Sequence, residues 1–203
     1  SVIQSATDNE KIKLLVKDIN DAAENIAVFS SNLMGFAHPA PTALRVSLLD
    51  KVVMGVEPII RGSSGSGTEI AMELEQGCRA AIDAGQIEQA IMHLVVNSIE
   101  AIENNGTITI RVKHGSMPEK ISALEAELDV KERPAVILEV EDSGCGMNPE
   151  DCEKAFEPFY TTKKEKRRHA GLGLATVYNI IAKHDGDVSM ESRPRCGTLV
   201  RIY

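Results

Sequence analysis

The stretch QIEQAIMHLVVNSIEAIENN, residues 86–105, limits the fold most strongly. Ile87, Ala90, Ile91, Leu94, Val95, Ser98 and Ile102 recur every three or four residues, which places them on one side of a helix. Asp83 with Gln86 supplies the helix start, and Asn104-Asn105-Gly106 supplies its end. The strand-like TITIRVK follows at once. A polar loop from Gly115 to Arg133 comes next, within which ISALEAEL suits a short helix, and then the strand AVILEVE. A helix with one apolar stripe set among such strands predicts a two-layer α/β sandwich, a mixed sheet with helices on one face.

The flanking segments extend that pattern. Ile12, Leu15, Ile19, Ala22, Ile26, Phe29, Leu33 and Phe36 are spaced alternately three and four apart, a heptad seam that ends near His38-Pro39-Ala40-Pro41. Such a helix packs either on its own domain or in a bundle or dimer, and a strict seam of this length suits a bundle better. The expected division is therefore a bundle helix over 1–40 and a separate domain over 41–203. A second helix is expected over Ser47–Ile60, with Ser47 and Asp50 as its capping pair, then a loop over Arg61–Gly67. Ile70, Met72 and Leu74 alternate as in a strand. A loop region after Gly146, a helix over Leu172–His184 and strands over Val188–Glu191 and Leu199–Tyr203 complete the chain.

Composition excludes several classes. The net charge of -8 argues against a nucleic-acid role, which needs a broad basic surface. The four cysteines show no metal-ligand spacing, and reduced thiols in a cytoplasmic compartment are the simplest reading. No apolar stretch approaches the roughly 20 residues that span a bilayer. No signal peptide is evident. Membrane contact is expected only through regions outside this sequence, and the chain is read as part of something longer.

Three constellations carry chemistry. The first is a second stripe on the 86–105 helix: Gln89, His93, Asn97, Glu100 and Asn104. Such a stripe is commonly a solvated face, but Asn97 sits between Val96 and Ser98 in an apolar stretch. Its amide oxygen suits Mg2+, a hard cation that takes oxygen ligands, and His93 lies one turn earlier on the same face. The second is Asp142-Ser143-Gly144-Cys145-Gly146. A plain turn needs one glycine. An aspartate at a strand end can accept from an exocyclic amine, and Gly144 and Gly146 would let a flat ring lie against the backbone. The third is FEPFYTTKKEKRRHAGLGLATVYN, where Gly171 and Gly173 open a helix whose first N–H groups suit a phosphate. Lys163, Lys164, Lys166, Arg167 and Arg168 form either an exposed loop or a basic lid.

Taken in order, HLVVNSIEAI, EDSGCGM, FEPFYTTK, AGLGLATVYNIIAKHDGDV and CGT resemble the N, G1, F, G2 and G3 boxes of sensor histidine kinases. These kinases share the Bergerat ATP-binding fold with gyrase, the Hsp90 chaperones and the MutL repair proteins. The resemblance spans Asp83 to Tyr203. INDAAENIAVFSSNLMGFAHP extends it, resembling the second helix of the family's dimerisation and phosphotransfer bundle. It implies that Asn97 coordinates Mg2+ and that Asp142 accepts from the adenine amine of ATP. It further implies that Gly144 and Gly146 shape the base pocket, Phe156 and Phe159 anchor the lid, Lys163, Gly171 and Gly173 meet the phosphates, and Thr198 lies near the adenine through water.

Three departures from the family pattern matter. His93 stands where hydrolytic members carry a glutamate base, which favours phosphoryl transfer to a protein over fast hydrolysis. His169 replaces the first glycine of the usual GxGxG. No phosphoacceptor box is present: His38 lies among prolines, and His184-Asp185 falls at a helix end, so the acceptor histidine is expected outside this chain. The resemblance implies a protein-histidine kinase region that binds Mg-ATP and serves a response regulator as partner, as a homodimer through the heptad helix. Two other readings stay open: a fold-retaining signalling module without nucleotide, and another Bergerat-fold ATPase or kinase, such as a serine-directed anti-sigma kinase. Leu15→Glu combined with Ile26→Glu is expected to convert a dimer to a monomer while ATP binding persists. Unchanged sedimentation would refute the seam.

Overall fold

The computed structural model describes residues 42–64, 67–117, 133–162 and 171–203. In chain order the elements are β1 (Arg45–Leu48), α1 (Leu49–Ser63), β2 (Thr68–Leu74), β3 (Arg79–Ile82), α2 (Ala84–Ala101), β4 (Gly106–Met117) and β5 (Arg133–Asp142). These are followed by α3 (Pro149–Lys154), α4 (Gly173–Ala182), β6 (Val188–Ser192) and β7 (Thr198–Ile202). The heptad helix, the basic run with Lys163, His38, His169 and the short helix expected in ISALEAEL lie outside the described residues.

Five strands form a mixed sheet in the order β2-β4-β5-β7-β6. Only the β2–β4 pair is parallel, since α2 crosses between them; the other three pairs are antiparallel. Period-two alternation splits the strands cleanly. Ile70, Ile108, Ile110, Val112, Leu138, Val140, Val200 and Ile202 are buried together with Val53, Val56 and Ile60 of α1, Ile91, Leu94 and Val95 of α2, and Val177, Ile180 and Ile181 of α4. Each such side chain contributes about 1.5–3 kcal/mol on burial. The sheet is therefore the predicted mixed one, with helices on one face.

The opposite face carries a ladder of charge. Arg111 donates to Glu73 at 2.8 Å and to Glu141 at 2.6 Å. Lys113 and Arg201 both donate to Glu139 Oε1, at 2.8 and 3.0 Å, and Arg201 also pairs with Glu191. Register explains the ladder: Glu139 lies between Arg111 on β4 and Arg201 on β7. Burial alone would push the Glu139 carboxyl up, but hydrogen bonds and charge from Lys113 and Arg201 outweigh it and hold it below the ordinary carboxylate range.

Several sequence expectations need correction. The helix after Thr42 starts at Leu49, and its cap residue Leu48 makes no side-chain cap bond. Ser47 instead bonds back to the Arg45 carbonyl, so Ser47 and Asp50 are not a capping pair. The helix also runs on to Ser63, into the expected loop. β1 and β3 pair as a separate two-stranded ribbon, each too short at four residues to show a period. The expected loop after Gly146 contains α3, capped by Asn148 and opened by Pro149. Asp83 does cap α2, accepting from the Gln86 N–H, and His184 completes the corner: its Nε2 accepts from the Asp83 N–H at 3.0 Å. Its Nδ1 lies 2.7 Å from the Ile180 carbonyl, so that nitrogen carries the proton.

The β6–β7 turn closes on the end of β5. Gly197 has φ +84°, and a methyl there would run into the Asp142 carbonyl oxygen. Gly197→Ala is expected to cost about 2 kcal/mol or more, read by urea unfolding; a smaller loss would show that the turn can retreat. Glu139→Gln is expected to cost about 1–2 kcal/mol at neutral pH, because its cationic partners are only partly buried. The folded carboxyl titrates below its unfolded value. Its contribution is therefore present above the unfolded value and lost as pH falls through the folded one, so the two proteins should converge in acid. A difference that stays constant with pH would refute this.

Candidate functional site

Sheet register assembles the first half of the site. Ile108, Asp142, Thr198 and Ser192 are successive partners across β4, β5, β7 and β6, on the side that faces the helices. Asp142 is the last residue of β5 and is 7% exposed. A buried carboxylate needs donors, and three elements supply them. Ser98 Oγ of α2 donates to Oδ2 at 3.1 Å. The Gly144 N–H donates to Oδ1 at 2.8 Å, and the Thr198 N–H to the same oxygen at 3.3 Å. Ser98 had read only as a member of the apolar stripe; a hydroxyl at a buried helix position was the available signal.

The glycines after Asp142 serve close backbone packing. A methyl on Gly144 would lie 2.7 Å from Ala101 Cβ, at the end of α2, and the Cys145 N–H donates to the Ala101 carbonyl at 2.9 Å. Gly146 has φ +62°, and a methyl there would strike the Arg193 carbonyl of the β6–β7 turn. The side that a flat ring was expected to use is thus filled by protein at both positions. Ser192, which sequence reading missed, ties the same turn down. Its Oγ accepts from the Met147 N–H at 2.8 Å, donates to the Gly197 carbonyl at 2.9 Å and lies 2.9 Å from Thr198 Oγ1.

The second half lies where α4 begins. The helix has Leu172 as its cap residue, which makes no side-chain cap bond to its first N–H groups. A methyl on Gly173 would sit 3.6 Å from Asn97 Oδ1 and 3.8 Å from His93 Nδ1, so α2 brings both predicted polar residues to this helix start. Asn97 and Ser98 are neighbours in sequence, about 100° apart around α2; one faces α4 and the other the sheet end. α2 is the wall shared by both halves.

The F-box residues frame the entrance to α4. The Phe159 N–H donates to the Gly171 carbonyl at 2.9 Å. Gly171 has φ +68°, and a methyl there would lie 2.6 Å from the Tyr160 carbonyl oxygen. Phe159 itself is held at φ 69°, a conformation uncommon outside glycine, and is 61% exposed. Phe156 packs obliquely on Tyr178 of α4 with ring centroids 6.2 Å apart. Tyr160 donates its hydroxyl to Asp151 at 2.5 Å, a bond that pushes the phenol above its ordinary range. Lys163 lies outside the described residues. No helix among the described residues is long and apolar enough to cross a membrane.

The chain is similar to known proteins in sequence and in fold. The chain is 36% identical over 140 residues to the sensor kinase CckA of Brucella abortus (strain 2308), which covers 68% of this chain and 14% of that protein. It is 28% identical over 175 residues to the sensor histidine kinase ZraS of Salmonella typhi, covering 85% of this chain and 34% of that one. It therefore spans only a fraction of these relatives. Among solved structures, the nucleotide-free catalytic domain of histidine kinase ThkA matches at a TM-score of 0.56 and 27% identity, over 78% of this chain and 92% of that one. Full-length ShkA in complex with AMPPNP has the same fold, with a TM-score of 0.72 at 18% identity over 94% of this chain and 38% of that one. Residues 82–203 match the family described as Histidine kinase-, DNA gyrase B-, and HSP90-like ATPase, more than half of the chain, and the chain belongs to that family.

Proposed function

We propose that this chain is the ATP-binding catalytic region of a two-component sensor histidine kinase, passing the γ-phosphate of Mg-ATP to a histidine outside the chain for relay to a response regulator. The observation that carries the reading is the Asp142 carboxylate, held by Ser98, Gly144 and Thr198 at the end of a sheet row, with Ser98 on the same helix α2 whose Asn97 and His93 face the start of α4. This donor set fits the nucleotide. Asp142 would accept from the adenine amine, with Thr198 beside it and Gly144 and Gly146 setting the loop that closes the base site. Asn97 would supply an amide oxygen to Mg2+, and the uncapped α4 start behind Gly171 and Gly173 would hold phosphate oxygens. Phe156 and Phe159 would anchor the lid, and Lys163 would reach the phosphates from it. Bound Mg2+ would neutralise charge on the phosphates during transfer.

The remaining work falls to positioning. In phosphoryl transfer the protein orients groups and stabilises charge, so no strong base inside the domain is required. His93, at the position where hydrolytic relatives carry a glutamate, fits transfer to a protein better than attack by water. The names of the relatives support the same class, since they are sensor kinases. Dimerisation through the heptad helix and relay to a receiver domain belong to this reading as well.

Calorimetric titration with a non-hydrolysable ATP analogue, with and without Mg2+, tests the proposal. Asp142→Asn is expected to weaken binding about ten- to a hundredfold, the worth of a hydrogen bond to a charged group. Asn97→Ala should retain binding but lose its Mg2+ dependence. A folded wild-type chain that binds no nucleotide would overturn the proposal, and the fold-retaining signalling module would take its place.

A further inference from the structure

Away from the nucleotide site, the end of β2 brings together three side chains of different chemistry. Glu75 Oε1 lies 2.8 Å from His114 Nδ1, and Cys78 Sγ lies 3.5 Å from the same nitrogen. The three donor atoms all lie within 4.8 Å of one another. We propose that Glu75, Cys78 and His114 form a site for a borderline divalent cation, Zn2+ above all, with water as the fourth ligand.

The geometry suits that ion. Zn–S of about 2.3 Å and Zn–N of about 2.0 Å at a tetrahedral angle set sulfur and nitrogen about 3.5 Å apart, the separation found between Cys78 and His114. The ion takes the place of the proton shared around Nδ1, and the exposed Glu75 side chain opens its 2.8 Å contact by a small rotation. The backbone is already set: the Glu75 N–H donates to the Val112 carbonyl at 2.9 Å, and Glu75 Oε2 accepts from the His114 N–H at 2.9 Å. Cys78 is fully buried, while Glu75 and His114 are about half exposed and leave a path from solvent. Thiolate, imidazole and carboxylate together select zinc-like ions over Mg2+.

A second observation lies at the same end of the fold. The Leu49 N–H donates to the Cys78 carbonyl, so α1 starts against this turn. The next residue, Asp50, is 3% exposed, and its Oδ1 has no hydrogen-bond partner among the described residues. Glu75 and Asp50 both bring carboxylates within electrostatic range of Cys78. A divalent cation offsets that negative charge. On binding, the thiol proton leaves to solvent and the Sγ–metal bond replaces the S–H bond, while the imidazole proton is carried on Nε2 so that the Nδ1 lone pair meets the metal.

The test is titration of the metal-free full chain with Co2+ and with Zn2+, in excess Mg2+ to occupy any hard-cation site. A thiolate-to-cobalt charge-transfer band at one equivalent is expected, bleached by Zn2+. His114→Ala, a change at a half-exposed position, should weaken Co2+ binding by more than about tenfold, with the fold checked by circular dichroism. Cys78→Ser should remove the band. No band with the wild-type chain, or a band unchanged in His114→Ala, would overturn the site, the latter placing the metal on the other thiols. Nucleotide titration is unaffected by either result, so the fate of the kinase reading is read separately.

Discussion

A carboxylate buried at the end of a central strand has to be given donors, or the fold loses several kcal/mol. Asp142 meets that requirement by drawing on three parts of the chain at once. Ser98 comes from α2, Gly144 from the turn that follows, and Thr198 from β7. Each contact also sets something else. The bond from Ser98 fixes the rotation of α2 over the sheet end, and with it the direction of Asn97. The bond from Gly144 turns the chain back against Ala101. The bond from Thr198 places β7, and the Gly197 turn then comes so close to Asp142 that no side chain fits.

The two faces of the sheet are held by different physics. Toward the helices, aliphatic side chains from all the main elements interdigitate, and the gain is area removed from water. On the other face, Glu73, Arg111, Glu139, Glu141, Arg201 and Glu191 alternate in sign across the strands. Individually such pairs are weak where exposed. Glu139 is the exception: it is buried among cations from both neighbouring strands, so the ladder selects the register in which those charges meet.

The glycines around the candidate site are places where segments pack closely. At 144, 146, 171 and 197 the space that a side chain would need is taken by backbone of another segment. These crossings hold the Asp142 loop against the end of α2 and the β6–β7 turn, and the residues before α4 against the Phe159–Tyr160 segment. The consequence is that the turns around Asp142 are set largely by main chain.

The helices and longer strands were legible from periodicity alone, because burial of one face is a local property of the chain. The Asp83 start of α2, its buried stripe from Ile87 to Ser98 and the strands of the five-stranded sheet are as expected, whereas the helix ends at Ala101, short of Ile102 and of the expected stop at Asn104. The order of the motif residues was equally readable, and it was enough to indicate the family. Periodicity could not reveal β1 and β3, which are too short to show a period, or α3, whose only signal was Asn148 before Pro149. Nor could it show that Asp142, Thr198 and Ser192 share one row, since register between strands 56 residues apart is decided by pairing. The reason glycine is needed at 144 and 146 likewise emerged only when α2 and the β6–β7 turn were seen against them. Cys78 looked like a lone thiol because its partner His114 is 36 residues away. The sequence by itself determined which helix and strand stripes are apolar and in what order the motifs come. Which of those residues meet was decided by tertiary structure, because meeting depends on contacts between distant segments that no local pattern encodes.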